Sequence, residues 1–208
     1  MSLKIDLHVH TYYSHDSTIT PKQLVIGAKK RGLDAVAVTD HDAFKGALKL
    51  SKNKDFLIIP GIEVSTRYGH VLGLGIREGV PPKLDVKTTI EKIHDAGGIA
   101  IAAHPTSINR GKLRKHVTKD FDAVEVINAA SFPFRFSSCM NRKIARSLRL
   151  PQTGGTDAHT VFEIGTAYSL VDSTLGEDEV ISAIKKGRVQ ACGKAIPLLV
   201  RLKRGKRF

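Results

Sequence analysis

Ala35-Val36-Ala37-Val38-Thr39 runs straight into Asp40-His41-Asp42, so a short apolar, β-branched segment ends in acid and imidazole. Such a run suits a buried strand. On its N-terminal side, Pro21 to Arg31 reads as a helix, with proline in the first turn and Gly32 as its stop. On the other side Ala43 to Ser51 reads as helical, and Phe56-Leu57-Ile58-Ile59 begins another strand. The same figure recurs outward from there. Leu3 to Val9 is a strand whose apolar pattern is broken by acid and imidazole, Gly69 to Ile76 is a strand, and Val86 to Ala96 is a helix ending at Gly97-Gly98. Strands at Ile99 to Ala103 and Phe121 to Ile127 precede a basic helix over about Ser137 to Leu150. Strands at Gln152 to Gly154 and Gly165 to Val171, then a helix at Asp178 to Lys186, complete the reading. Short strands alternating with helices predict an α/β domain with a largely parallel sheet. Pattern alone does not choose between a barrel and an open doubly wound sheet. The polar residues do help, because they fall at strand ends, which converge on one face of a (β/α) barrel.

The 208 residues fit one domain spanning 1–208, with no repeat and no linker long enough to divide it. No run of about 18 apolar residues predicts a membrane span, and Met1 to His10 lacks the pattern of a secretory signal. Cys139 and Cys192 are the only cysteines and lack CxxC spacing, which argues against a disulfide framework or a thiolate zinc site and makes a reducing cytoplasm the simplest address. The formal net charge of +13 attracts phosphates, whether on metabolites, nucleic acids or lipid headgroups. It is concentrated at Lys29-Lys30-Arg31, at Arg110 to Lys115 and in a tail from Arg201 to Arg207. A solvated surface accounts for such charge equally well.

Five clusters carry chemistry: Asp6-Leu7-His8-Val9-His10 with Ser14-His15-Asp16; Thr39-Asp40-His41-Asp42; Gly61-Ile62-Glu63-Val64-Ser65 with His70; Ala102-Ala103-His104-Pro105; and Gly155-Thr156-Asp157-Ala158-His159. Strand residues two apart share a face, so His8 and His10 can reach one metal ion. A lone histidine at a strand end is more often a hydrogen-bonded surface residue, and Asp-His pairs also serve turns. His94, within a helix, and His116, in a basic loop, belong to that ordinary class. The rest differ by joint placement: six of the nine histidines fall with Asp16, Glu63 and Asp157 at strand ends of the same type. Imidazole and carboxylate without thiolate suit zinc, manganese or iron, and nine donors are enough for two or three ions.

These stretches resemble the PHP (polymerase and histidinol phosphatase) superfamily over nearly the whole chain: DLHVHT at Asp6 to Thr11, TDHD at Thr39 to Asp42, GIEVST at Gly61 to Thr66, GHVLGLG at Gly69 to Gly75, AHP at Ala103 to Pro105, VEVINA at Val124 to Ala129 and GTDAH at Gly155 to His159, in the family's order. The resemblance implies a distorted (β/α)7 TIM-like barrel with a trinuclear centre of divalent metal ions (Mn, Zn or Fe) at the C-terminal strand face. Carried over residue by residue, it implies the ligands His8, His10, Asp16, His41, Glu63, His70, His104, Asp157 and His159, with Glu63 bridging two ions and His41, Glu63 and Asp157 at the heart of the chemistry. His15 and Asp16 compete for one position, and the Ser-x-Asp spacing favours Asp16. Asp6, Asp40 and Glu125 are read as groups that orient imidazoles.

Such a cluster suits hydrolysis of phosphate esters through a metal-activated hydroxide, since paired ions about 3.5–4 Å apart can clamp both the attacking and the leaving oxygen. Arg67 and Arg135 are candidates for gripping the phosphate, because guanidinium matches its geometry. The resemblance is closest to small stand-alone members acting on nucleotides or short oligonucleotides, without the inserted domain that some carry after the AHP motif. Only Thr106 to Asp120 separates that motif from the next strand, which leaves the pocket more open. The expected partner is a phosphorylated small molecule or a short nucleic acid, with no membrane. Two alternatives stand beside it: a histidinol-phosphate-type phosphatase, and a non-catalytic RNA-binding subunit of an RNA-processing complex, for which the basic tail would contact phosphates.

Overall fold

The computed structural model describes residues 2–108 and 113–204, with side chains as far as 202. Its elements in chain order are β1 (Ser2–Val9), α1 (Pro21–Lys30), β2 (Ala35–Val38), α2 (Lys45–Leu50), β3 (Leu57–Ser65), β4 (His70–Leu74), α3 (Val86–Asp95), β5 (Ile99–Ala102), a 3₁₀ turn at Leu113–His116, β6 (Ala123–Asn128), α4 (Phe134–Leu148), β7 (Gln152–Gly155), β8 (Ala167–Asp172), α5 (Glu177–Lys185), β9 (Val189–Gly193) and α6 (Leu198–Arg204). Local chemistry sets several boundaries. Thr20 and Gln23 form a reciprocal capping box at the start of α1, with Pro21 in the first turn. Asp85 accepts from the Thr88 amide at the start of α3.

The strands form one sheet in the order β7-β6-β5-β4-β3-β2-β1-β8-β9. It curls until the chain beyond β7 meets the end of β1, where the Asp157 amide donates to the His8 carbonyl at 2.7 Å and the His10 amide to the Ala158 carbonyl at 2.9 Å. The result is a nearly closed barrel, as the α/β pattern and the polar strand ends predict. The sheet is less parallel than expected. β4 runs antiparallel to both β3 and β5, and β8 to both β1 and β9, so half of the eight pairings are antiparallel. For β4 the physical reason is its short turn from β3: the Thr66 amide donates to the Gly69 carbonyl at 2.8 Å, closing a hairpin where a crossover helix would otherwise stand. β9 and α6 lie beyond the last element that periodicity reveals.

Leu3, Ile5 and Leu7 pack inside the barrel with Ala35, Ala37, Ile59, Leu72, Leu74 and Ile101, over Val180, Ala183 and Ile184 of α5. Val9, Val36, Val38 and Ile58 pack outward against Leu24 and Ala28 of α1 and Ala47 of α2. Strict alternation from Leu7 would send Val9 inward and His8 and His10 outward. A register shift between Asp6 and Val9 reverses this and turns both histidines into the barrel. A second shift, between Glu125 and Ile127 of β6, does the same for Asn128.

Arg201 opens the basic tail, and its guanidinium donates to the carbonyls of Ile196, Ala129 and Ala130, tying α6 to the chain after β6. That arginine serves the fold. The side chains from Lys203 to Arg207 lie outside the described residues, as do Arg110 and Lys112 of the other basic segment. Among the described residues, no helix is long and apolar enough to cross a membrane.

Candidate metal centre

The nine residues carried over from the motifs meet at one end of the barrel. His8 and His10 come from β1, Asp16 from the following loop, His41 from the end of β2, Glu63 from β3, His104 from the end of β5, and Asp157 and His159 from the chain beyond β7. His70 is the first residue of β4, but that strand runs backward, so pairing with Ser65 brings it to the same end. Their donor atoms fall into overlapping groups whose members lie within 4.8 Å of one another: His10, Asp16, His41 and His159; His8, His10, Glu63 and Asp157; and His41, Glu63 and His70. His104 joins through its Nε2, 2.9 Å from Glu63 Oε1.

Glu63 sits at the middle of this set and is fully buried. Its Oε1 lies 2.9 Å from His70 Nδ1. Its Oε2 lies 3.1 Å from His8 Nε2, 3.2 Å from His10 Nε2 and 3.3 Å from His41 Nδ1. That oxygen nevertheless accepts no hydrogen bond. His8 Nε2 and His10 Nε2 face each other at 3.1 Å. Buried polar atoms are normally paired. Nitrogen lone pairs converging with a carboxylate oxygen on shared space are what a cation requires, so the donor set fits divalent metal ions.

The orienting contacts support that fit. His8 Nδ1 donates to Glu125 Oε1 at 2.9 Å, which leaves Nε2 directed at the cluster. His159 Nδ1 lies 3.0 Å from the Asp157 carbonyl, and its Nε2 lies 2.9 Å from Asp16 Oδ2. Glu125 falls close to His8 and His104 as a further possible donor. Its oxygens are already engaged, however, by His8 Nδ1, the His104 amide at 2.9 Å and Asn128 Nδ2 at 3.0 Å. It is therefore an orienting group, as the sequence implies. Replacing Glu125 with glutamine is expected to weaken metal affinity about 10- to 100-fold, as loss of such partners typically does. Titration of the stripped variant with manganese, followed by calorimetry, checks this.

Asp6 and Asp40 depart from the sequence expectation. Neither bonds an imidazole. Asp6 accepts the amides of His8 (3.3 Å), Thr156 (2.8 Å) and Gly165 (3.0 Å), and Asp40 accepts the amide and hydroxyl of Thr11. They fix the backbone on which the histidines stand. Unusual backbone collects at the same place: His104 has φ +31° and Asp157 φ +59°, in the left-handed region that few residues other than glycine adopt, Asp and His more readily than most. Gly155 is required by close approach, since a Cβ there would lie 2.5 Å from the His8 Cβ.

The electrostatics follow from burial. Desolvation opposes ionisation of Glu63, but the charges of His8, His70 and His41 outweigh it and hold the carboxyl well below the usual range. Desolvation likewise opposes protonation of His8, and Glu125, Glu63 and Asp157 override it to hold His8 well above its ordinary value. Burial lowers His41 to about 4, with repulsion from His10 and His70 adding to the effect. Burial lifts Asp6 to about 6, against the hydrogen bonds from Thr156 and Gly165. Asp16 is driven far down, because bonds from His159 and Ser14 outweigh its desolvation.

His15 is exposed, with its ring centroid 5.8 Å from that of His41, so the structure brings Asp16 rather than His15 into the cluster. Arg67 and Arg135 are both exposed at this end of the barrel. Arg67 Nε donates to the Lys83 carbonyl, and Arg135 stands in the first turn of α4. His94 is paired with Asp122 at 2.7 Å, away from the centre. Three contributors escape a reading of the sequence. Asn128 donates to Glu125 and Asp157, and it stands within the VEVINA stretch, which was the signal for it. Glu163 accepts the amides of His159 and Thr160, and Ser14 donates to Asp16. No motif announces Glu163, whereas Ser14 stands in the Ser-x-Asp spacing that favours Asp16, its bond to that carboxylate being what the sequence leaves unstated.

The PHP domain model matches residues 6–120, and a PHP-associated model matches residues 140–189. An uncharacterized protein of Methanocaldococcus jannaschii is 38% identical over 141 residues, covering 61% of this chain and 82% of that one. A phosphoribosyl 1,2-cyclic phosphate 1,2-diphosphodiesterase of Eggerthella lenta is 36% identical over 99 residues (43% of this chain, 37% of that protein). A 3′,5′-nucleoside bisphosphate phosphatase of Chromobacterium violaceum is 30% identical over 118 residues (53% and 35%). The chain thus matches little more than a third of either enzyme's length. Among solved structures, a two-domain protein of Bacteroides vulgatus, described as containing a predicted PHP-like metal-dependent phosphoesterase, superposes with TM-score 0.75 at 18% identity, over 93% of this chain and 65% of that one. By the match of the PHP domain model over more than half of its length, with a barrel of the same fold, the chain belongs to the PHP family, the phosphoesterase family that its motifs resemble.

Proposed function

We propose that this chain hydrolyses phosphate esters at a centre of two or three divalent metal ions (Mn, Zn or Fe) held by His8, His10, Asp16, His41, Glu63, His70, His104, Asp157 and His159. The observation that carries the reading is Glu63 Oε2, buried within 3.3 Å of three imidazole nitrogens yet accepting no hydrogen bond. Bound there, divalent ions would polarise phosphoryl oxygens and make water acidic near neutral pH. The protein's own part is to hold the donors. Glu125 and the Asp157 carbonyl fix the tautomers of His8 and His159, and Glu63 supplies the charge between the imidazoles. Asp6 and Asp40 keep β1 and its loop in place. Arg67 and Arg135, at the rim, would meet the phosphate oxygens. A nucleotide or short oligonucleotide is the favoured substrate, in keeping with the basic composition and with the names of the Chromobacterium relative and of a Haemophilus influenzae 5′-3′ exoribonuclease, 24% identical over 84% of this chain.

The test is hydrolysis of p-nitrophenyl phosphate with added manganese, comparing the protein with its His41→Ala, Asp157→Ala double variant. The variant is expected to lose about 1,000-fold or more, since metal-assisted charge stabilisation is worth several kcal/mol. Equal rates in both, with metal loading confirmed for the parent, would sink the proposal.

A further inference from the structure

A cleft of about 350 Å³ opens beside the metal centre, lined by Tyr68, Pro105, Arg114, Lys115, His116 and Phe136 among others. Two sequence neighbours join it to the centre: Pro105 follows His104, and Tyr68 lies two residues before His70. Its character is unlike that of the centre. Tyr68 and His116 stack with ring centroids 3.8 Å apart and planes at 19°. The stack uses one face of the tyrosine, a residue still 41% exposed, while Phe136 across the cleft is 53% exposed. Ile108 and Phe132 extend the apolar surface, and the Ile108 amide donates to the Phe132 carbonyl. Arg114 and Lys115 stand exposed on the turn that carries His116.

Exposure alone does not set these rings apart, since Tyr12, Phe132 and Phe162 are also open; what does is that Tyr68 and Phe136 line one cleft with cations at its edge. A purely structural role would have the Tyr68–His116 stack pin the turn at residues 113–116 against the β3–β4 hairpin. That accounts for one contact. It does not account for Phe136, on a different element, facing the same space, or for the two cations at its edge. Planar rings beside cations are the combination that receives a nucleobase and its phosphates.

Building on the phosphoesterase reading, we propose that Tyr68 and Phe136 form a stacking subsite for a planar ring on the leaving group, so that the enzyme selects nucleotides over sugar phosphates. With the phosphate at the metal centre, the sugar spans the rim at Pro105 and the base lies against Tyr68 or Phe136. Arg114 and Lys115 offset any further phosphate on that side. Neither aromatic residue touches the reacting atoms, so both act on specificity.

The test compares kcat/KM for adenosine 5′-monophosphate and ribose 5-phosphate, which present the same phosphomonoester with and without a base. The manganese-loaded parent is expected to prefer the nucleotide roughly 5- to 100-fold, the range that stacking of one base supplies. A Tyr68→Ala, Phe136→Ala double variant should lose that preference through KM while its rate on ribose 5-phosphate holds within about twofold. A Tyr68→Phe variant, which keeps the ring, should retain the preference. Equal parental rates on the two esters, or a variant that loses both alike, would overturn the subsite. If neither ester is hydrolysed, the p-nitrophenyl phosphate assay decides the phosphoesterase reading separately. Calorimetric binding of the same two compounds then decides the subsite: base-dependent binding that the double variant lacks sustains it, and equal or absent binding overturns it.

Discussion

A Glu63→Gln variant is expected to lose at least about 1,000-fold in manganese-dependent phosphatase rate, together with bound metal. The change keeps the side chain's size and removes only its charge. In the parent that charge faces His8, His10, His41, His70 and His104, all within 3.3 Å of one or the other carboxylate oxygen. A neutral amide places an NH₂ group where one of those oxygens stood, and an amide nitrogen cannot share a cation with imidazole. On the proposed reading Glu63 would be shared between ions, so its neutralisation would release metal, and the loss of several kcal/mol of charge stabilisation gives the stated factor. Elemental analysis for metal per chain and the p-nitrophenyl phosphate rate are the two readouts. Full metal content with activity within tenfold of the parent would show that Glu63 bridges nothing.

Stripping the metal should cost the fold almost as dearly. Asp6, Asp40, Glu63, Glu125 and Asp157 are all at or near complete burial, grouped around six histidines. A buried charge without adequate compensation costs several kcal/mol. Ions that bind only the folded chain add roughly 4 kcal/mol at a thousandfold excess over Kd. For a chain of this size each kcal/mol moves the midpoint by about 2–4 °C. Scanning calorimetry should therefore find the chelated protein melting about 10 °C or more below the manganese-loaded one, with recovery on adding metal back. Matching midpoints would mean that the carboxylates and imidazoles satisfy one another without an ion.

These effects can be assigned to named residues because the polar motifs are legible in the sequence. His8, His10, His41, Glu63, His104, Asp157 and His159 interrupt or follow apolar strands, and imidazoles and carboxylates do not gather at strand ends in such number by chance. The helices from Pro21 and Val86 are legible for the same kind of reason, because capping residues and 3.6-residue periodicity are local properties. β9 and α6 are not. Val189 to Gly193 alternates weakly and leaves Gln190 exposed, so its strand exists through pairing with β8 rather than through its own pattern. The reversal of β4 is also hidden, since strand direction depends on the hairpin closed at Thr66 and Gly69.

By itself, then, the sequence determined the α/β class and the imidazoles and carboxylates that fall at strand ends, because hydrophobic periodicity and side-chain chemistry are written residue by residue. Tertiary structure alone decided which way those residues face. The shift between Asp6 and Val9 turns His8 and His10 inward, the shift between Glu125 and Ile127 gives Asn128 to the centre, and reversal of β4 delivers His70 from a strand's beginning. The same packing set Tyr68 and Phe136 around one cleft, far apart in sequence. Register and direction are properties of strand pairs, and no single segment carries them.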